Sequence, residues 1–137
     1  MSESIREVTY YKVMVPNKTG VGARLLDGLK NSGVNLLAFS GFPAGQKAQL
    51  DFIPEDPAAF ERTAKQAGIK VGAGKPVFLI QGDDRVGALA EISAKLAAAN
   101  VNITALDGIS SGMGQYGAIF WVKPKDTVKA ARAVGAV

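Results

Sequence analysis

The sequence predicts an α+β fold made of two tandem βαββαβ units. Three observations point there. A strand–loop–helix–strand pattern runs from Gln81 to Ile103, the same pattern occurs earlier at a constant spacing, and each copy is followed by a hairpin and a second helix signal.

In the clearer copy, a hydrophobic run from Pro76 to Ile80 stops at a charged loop that ends in Gly87. A helix follows, with Leu89, Ile92 and Leu96 on one face and Glu91 and Lys95 spaced for an i, i+4 ion pair on the other. Asn100 tolerates the left-handed conformation that ends a helix, and Val101-Asn102-Ile103 opens the next strand. Backbone N–H groups at the start of such a helix lack partners and its dipole favours an anion, so the loop is a place to hold a small carboxylate.

Sliding the chain by 67 positions, the distance from Asn17 to Asp84, lays one half on the other. Asn17-Lys18-Thr19-Gly20 falls on Asp84-Arg85-Val86-Gly87, Leu29 on Leu96, Val34-Asn35 on Val101-Asn102, and Gly41 on Gly108. Gly33 falls on Asn100, the two residue types that cap a helix in the left-handed region. The agreements lie where backbone geometry or core packing demands them, which is the signature of a repeat.

In the first half, Val8–Val15 reads as a strand and Val21–Asn31 as a helix with Leu25, Leu26 and Leu29 inward. Val34–Phe42 and Lys47–Ile53 form a hairpin about the turn Phe42-Pro43-Ala44-Gly45. Asp56 is the N-cap of a second helix with Pro57 in its first turn, Gly68 ends it, and Ile69–Val71 is a short fourth strand. In the second half the strands are Pro76–Gln81, Val101–Ser110 and Tyr116–Val122, with a turn at Ser111–Gly114 and a last helix from about Asp126. The sequence then stops where the first half builds its fourth strand, so that strand is truncated or missing. The repeats span 1–72 and 73–137.

This element order builds a two-layer, ferredoxin-like unit: an antiparallel sheet with two helices on one face. Strand alternation places Ala48, Leu50 and Phe52 toward the helices. Extended to the other strands, it places Leu37, Phe39, Leu79, Leu106, Ile119 and Trp121 on the opposite face. A face that apolar is expected to be covered by a second copy of the unit, within the chain or in a partner. The missing last strand leaves an edge expected to pair between chains, so a homodimer is expected.

Composition removes several function classes. There is no Cys and no His, which excludes thiolate chemistry and Cys-based metal sites and removes the commonest general base. No pair of acids and no Gly-rich phosphate loop is spaced for catalysis, so the protein is expected not to be an enzyme and to need no cofactor or metal. The net charge of +4 is spread along the chain, which argues against a nucleic-acid footprint. No apolar run reaches a membrane-spanning length and no signal peptide is evident at the start, so a cytoplasmic location is expected.

Asp84-Arg85-Val86-Gly87, followed by Leu89, Ile92 and Asn100-Val101-Asn102-Ile103, resembles an ACT domain, the small-molecule regulatory module of amino-acid metabolism. Asn17-Lys18-Thr19-Gly20-Val21 and Gly33-Val34-Asn35-Leu36 resemble it in the first half. The whole chain is thus similar to a stand-alone tandem ACT protein without an attached enzyme. The resemblance implies an amino acid or similar small carboxylate held between paired units, and a regulated protein as partner.

In the serine-sensing members of that family, an Asn in the loop and the Asn of a Val-Asn-Ile sequence hold the ligand. Carried over by motif, these are Asn17 and Asn35 in the first half, and Asp84 and Asn102 in the second. The Asp84–Gly87 loop would face Asn35, and the Asn17–Gly20 loop Asn102. The family loop usually reads Pro-Gly; Thr19 and Val86 stand where Pro would be.

The chemistry suits a zwitterion. N–H groups around Gly20 or Gly87 take its carboxylate, Asp84 accepts from its ammonium more strongly than Asn17, and the Asn amides both donate and accept. Arg85 in the same loop is a further candidate ligand-binding residue. Simpler roles remain for each residue: Asp84 as a helix cap, Arg85 and Lys18 as exposed charges, Asn35 and Asn102 as polar sheet residues, Trp121 as packing.

Two alternative readings stand beside this one, the first of which has the same strand order. One is an RNA-binding domain, whose strand-three motif Tyr116-Gly117-Ala118-Ile119-Phe120-Trp121 matches in part. However, Tyr116 faces the helices, where RNA stacking needs open-face aromatics. The other is a purely structural subunit of an amino-acid-metabolism enzyme.

Overall fold

The computed structural model describes residues 3–137, which fold as two compact units. One comprises Thr9–Lys75; the other comprises residues 3–8 together with Pro76–Val137. The repeats of the sequence break at residue 72, whereas the compact units place residues 3–8 with the second repeat.

The N-terminal unit holds the second half of β1 (Glu3–Pro16), α1 (Val21–Asn31), β2 (Leu36–Ala44), β3 (Lys47–Pro54) and α2 (Pro57–Gln66). Its strands are antiparallel in the order β2-β3-β1, with Tyr11 opposite Phe52 and Phe52 opposite Phe39. Tyr11, Val13 and Val15 are buried while Lys12 and Met14 are exposed, as a half-buried strand requires. Leu29, Leu50, Phe52 and Phe60 complete the core, and the Tyr11 and Phe60 rings stack at 4.7 Å. Asp56 caps α2 as expected, accepting from the Ala59 N–H at 3.3 Å with Pro57 in the first turn.

The expected strand Ile69–Val71 does not form. Both side chains still pack on the core, but the backbone from Ala67 to Gly74 makes no ladder. Gly68, Gly72 and Gly74 crowd this stretch, and glycine is a weak strand former. Gly74 also passes very close to β1: a Cβ there would lie 2.5 Å from Thr9 Cγ2.

The C-terminal unit contains residues 3–8 of β1, β4 (Lys75–Asp83), α3 (Ala88–Ala98), β5 (Ile103–Gly112), β6 (Gln115–Val122) and α4 (Thr127–Val134), in strand order β1-β4-β6-β5. Ile92 and Leu96 of α3 and Ala130 and Val134 of α4 pack on Ile5, Phe78, Ile80 and Phe120. Asn100 has φ 60° and Gly33 φ 72°, the left-handed positions expected of both.

After α4, Gly135 turns the chain and the Val137 N–H donates to the Ile5 carbonyl at 3.0 Å. Among the described residues no strand follows α4. Residues 3–8 occupy the position beside β4 that the fourth strand would take, which corrects the expectation of an open edge there. The strand begins at Glu3 rather than Val8, because Ile5 buries its side chain in this unit's core.

Two side chains lie on the face opposite to that expected. Phe39 pairs with Phe52 and Leu106 with Phe120, so both share the helix-facing side. Register shifts between Leu36 and Ala38, and between Ile103 and Ala105, invert the alternation that unbroken strands would keep. Leu79, Ile119 and Trp121 stay on the other face, and all three are buried. Among the described residues, no helix is long and apolar enough to cross a membrane.

Candidate functional site

In each unit the first strand ends in a loop whose glycine opens the helix. Gly20 has φ 88° and Gly87 φ 83°, and their carbonyls accept from Arg24 and Glu91 at 3.0 Å. Neither helix has a side-chain cap, so Asp84 does not cap α3 and Asn17 does not cap α1. The loop in the C-terminal unit is pinned by the Asp84 N–H, which donates to the Gly114 carbonyl at 2.8 Å. The Asp84 carboxylate is exposed and makes no hydrogen bond or ion pair among the described residues.

Arg85 is not a simple surface charge. Its Nη1 donates to Glu3 Oε2 at 3.0 Å and its Nη2 to Glu91 Oε2 at 2.5 Å. The same Glu3 oxygen accepts from the Tyr116 hydroxyl at 2.5 Å. Burial opposes the charged form of Glu3, but the hydrogen bonds from Tyr116 and Arg85, with the charges of Arg85 and Lys95, hold its carboxyl below the usual range. Burial and the hydrogen bond to Glu3 push the Tyr116 hydroxyl up to about 12, and the two carboxylates raise Arg85 further. Because Glu91 turns to Arg85, the expected Glu91–Lys95 pair is not made.

Of these groups, Arg85 and Tyr116 border an open cavity of about 350 Å³. Asp84, Arg85 and Gly87 line it from the loop, Leu89 from α3, Gly108 and Ser110 from β5, and Tyr116 from β6. Gly108 admits Leu89 to this wall: a Cβ there would sit 2.8 Å from Leu89 Cδ1. The cavity combines an open carboxylate, a guanidinium already paired twice, and apolar walls.

Within each unit, the loop after the first strand and the Asn before the second lie at opposite ends of the sheet. β1 ends with Pro16 opposite Lys47, level with Ala44 at the end of β2, while Leu36 lies opposite Pro54 at the far end. Asn17 and Gly20 therefore lie at one end of the N-terminal unit and Asn35 at the other. There Asn35 donates to Glu55 Oε2 at 3.4 Å. Asp84, Arg85 and Gly87 are likewise at the opposite end of their unit from Asn102, since Asp83 and Gly112 both pair with Gln115 while Ile103 pairs with Val122. Asn17, Asn35 and Asn102 are exposed.

Glu3, Glu91 and Tyr116 were not expected at the site. Tyr116 could have been found, because alternation turns it to the helix side; Glu3 offered no signal, being distant in sequence. Tyr116 and Phe120 lie in the core and Trp121 is buried, so the C-terminal unit offers no stacking platform for RNA. Among the described residues, no cluster of acids could hold a metal ion.

The fold has clear relatives among solved structures. A Bacteroides thetaiotaomicron protein superposes with a TM-score of 0.78 at 18% identity, over 97% of this chain and 90% of its own. The ligand-free regulatory subunit of aspartate kinase from Thermus thermophilus gives 0.65 at 13% identity, over 98% and 95%. The corresponding subunit from Thermus flavus gives 0.59 at 17%, over 98% and 94%. The chain has the tandem ACT fold, two ferredoxin-like units in one polypeptide. No protein-family profile matches the sequence, and no curated protein matches it.

Proposed function

We propose that this protein is a small-molecule-binding regulatory protein without catalytic activity of its own, and that it senses an amino acid. The observation that supports this reading best is the cavity at the Asp84–Gly87 loop. Its volume lies within the range of small-ligand sites, and its walls are apolar with a few convergent polar groups. Asp84 would accept the ligand's ammonium through charge-assisted hydrogen bonds, and N–H groups near Gly87 would take its carboxylate. Asn17 and Gly20 offer the weaker, uncharged counterpart in the other unit.

The chain lacks His and Cys, which fits a sensor rather than an enzyme. Aspartate kinase regulatory subunits share the fold, and that likeness supports an enzyme or other regulated protein as the partner. A cytoplasmic homodimer belongs to the same proposal. A thermal-shift screen over the twenty amino acids tests the reading, since a ligand that binds only the native state raises the melting temperature. A rise with one chemical class is the expected result; no rise with any of them at millimolar concentration rejects it.

A further inference from the structure

The first strand supports the wall of this cavity from outside its lining. Glu3 stands on β1, and both of its partners, Arg85 and Tyr116, line the cavity. The Glu3 side chain is only 12% exposed, whereas Glu91, on the other side of the guanidinium, is 59% exposed. An arginine at the wall of a small pocket would ordinarily attract an anionic group. Here both arms of the fork already face carboxylates. The charged groups gathered around it are Glu3, Glu91 and Asp84 against Arg85 and the more remote Lys95, so the cavity offers no uncompensated positive charge.

We infer that Glu3, acting with Glu91, determines the specificity of the cavity: by neutralising Arg85, the two make it favour a ligand with a neutral or cationic side chain over one with a second carboxylate. The inference rests on the binding role proposed above and adds to it the class of ligand. Glu3 is a positioning residue in this account. It acts through Arg85, which it holds beside Tyr116.

Isosteric pairs isolate charge from shape, so the test is calorimetric binding of L-glutamate against L-glutamine, and of L-aspartate against L-asparagine, at low salt. The wild-type protein is expected to bind the amide of a pair more tightly. In Glu3→Gln the ratio should move toward the acid by about tenfold, the order expected when one close charge is removed from a partly shielded site. Glu91→Gln, which leaves the first strand untouched, should move it the same way, and this variant decides the matter if Glu3→Gln does not fold. Neither change should alter the ratio in an Arg85→Gln background, a coupling that a merely structural role for Glu3 would not produce. An unchanged ratio in both single variants overturns the inference while leaving the pocket in place. Failure of the wild type to bind these four or any other of the twenty amino acids removes the pocket reading, and the inference with it.

Discussion

Glu3 and Arg85 lie 82 positions apart and meet at 3.0 Å, tying the first strand to the loop after β4. Around that contact Tyr116 donates to the same carboxylate, and the Val137 N–H bonds to Ile5 nearby in sequence. The fourth strand of the second repeat is therefore supplied from the other end of the chain. Glu3→Ala removes the acceptor of a buried hydroxyl and one partner of a cation, which should destabilise the protein by about 1–3 kcal/mol in urea titration. Ser4→Ala, on the exposed side of the strand, should cost little.

Acid should weaken the same contact. The Glu3 carboxyl titrates below its ordinary value of 4.5 in the folded protein, so its contribution is present above that value and is lost as pH falls through the folded one. The stability difference between wild type and Glu3→Gln should shrink as the pH is lowered from neutrality to about 3. A difference independent of pH would show that the charge of Glu3 contributes nothing.

Alkali should act through two tyrosines. Burial, and then hydrogen bonds to Glu61 and Glu3, push Tyr11 and Tyr116 up to about 12 from an ordinary 10.0. Raised values of this kind stabilise the fold fully below the unfolded pKa, so the loss should fall between pH 10 and about 12. Denaturant midpoints measured across that window should drop, and Tyr116→Phe should make the drop shallower.

Two glycines should fail for different reasons. Gly87 has φ 83° with open space where a Cβ would sit, so Gly87→Ala should cost about 1–2 kcal/mol of backbone strain and weaken ligand binding at the loop. At Gly74 a Cβ would meet Thr9 Cγ2 at 2.5 Å, so the cost of Gly74→Ala is a clash. Thr9→Ser removes the methyl group and should recover part of the loss in the double variant, whereas no second-site change of this kind should rescue Gly87→Ala.

For binding, Asp84→Ala should abolish or greatly weaken the thermal shift given by an amino acid, while Asn17→Ala should have the smaller effect because its contact is uncharged. Equal losses in the two variants would argue against Asp84 as the ammonium acceptor.

Much of the fold was legible because it depends on local rules. The 67-residue offset between Asn17 and Asp84, the helix spacing of Leu89, Ile92 and Leu96, the Asp56-Pro57 helix start and the left-handed sites at Gly33 and Asn100 are each set by neighbouring residues. The Asp84–Gly87 loop was legible for the same reason. Phe39 and Leu106 were misplaced because a bulge shifts the register by one residue and sends every later side chain to the other face.

The sequence by itself determined the repeated unit, the helix boundaries and the loops that open α1 and α3, because periodicity, capping and left-handed glycines act over a few residues. Only the tertiary structure showed that Ile69–Val71 stays out of the ladder and decided that residues 3–8 complete the second repeat and that Arg85 is neutralised by Glu3 and Glu91. The last two outcomes depend on contacts between segments far apart in sequence, Glu3 and Arg85 being 82 positions apart. No local pattern encodes such contacts; they are made by burial of Ile5 and by the pairing of charges in the folded unit.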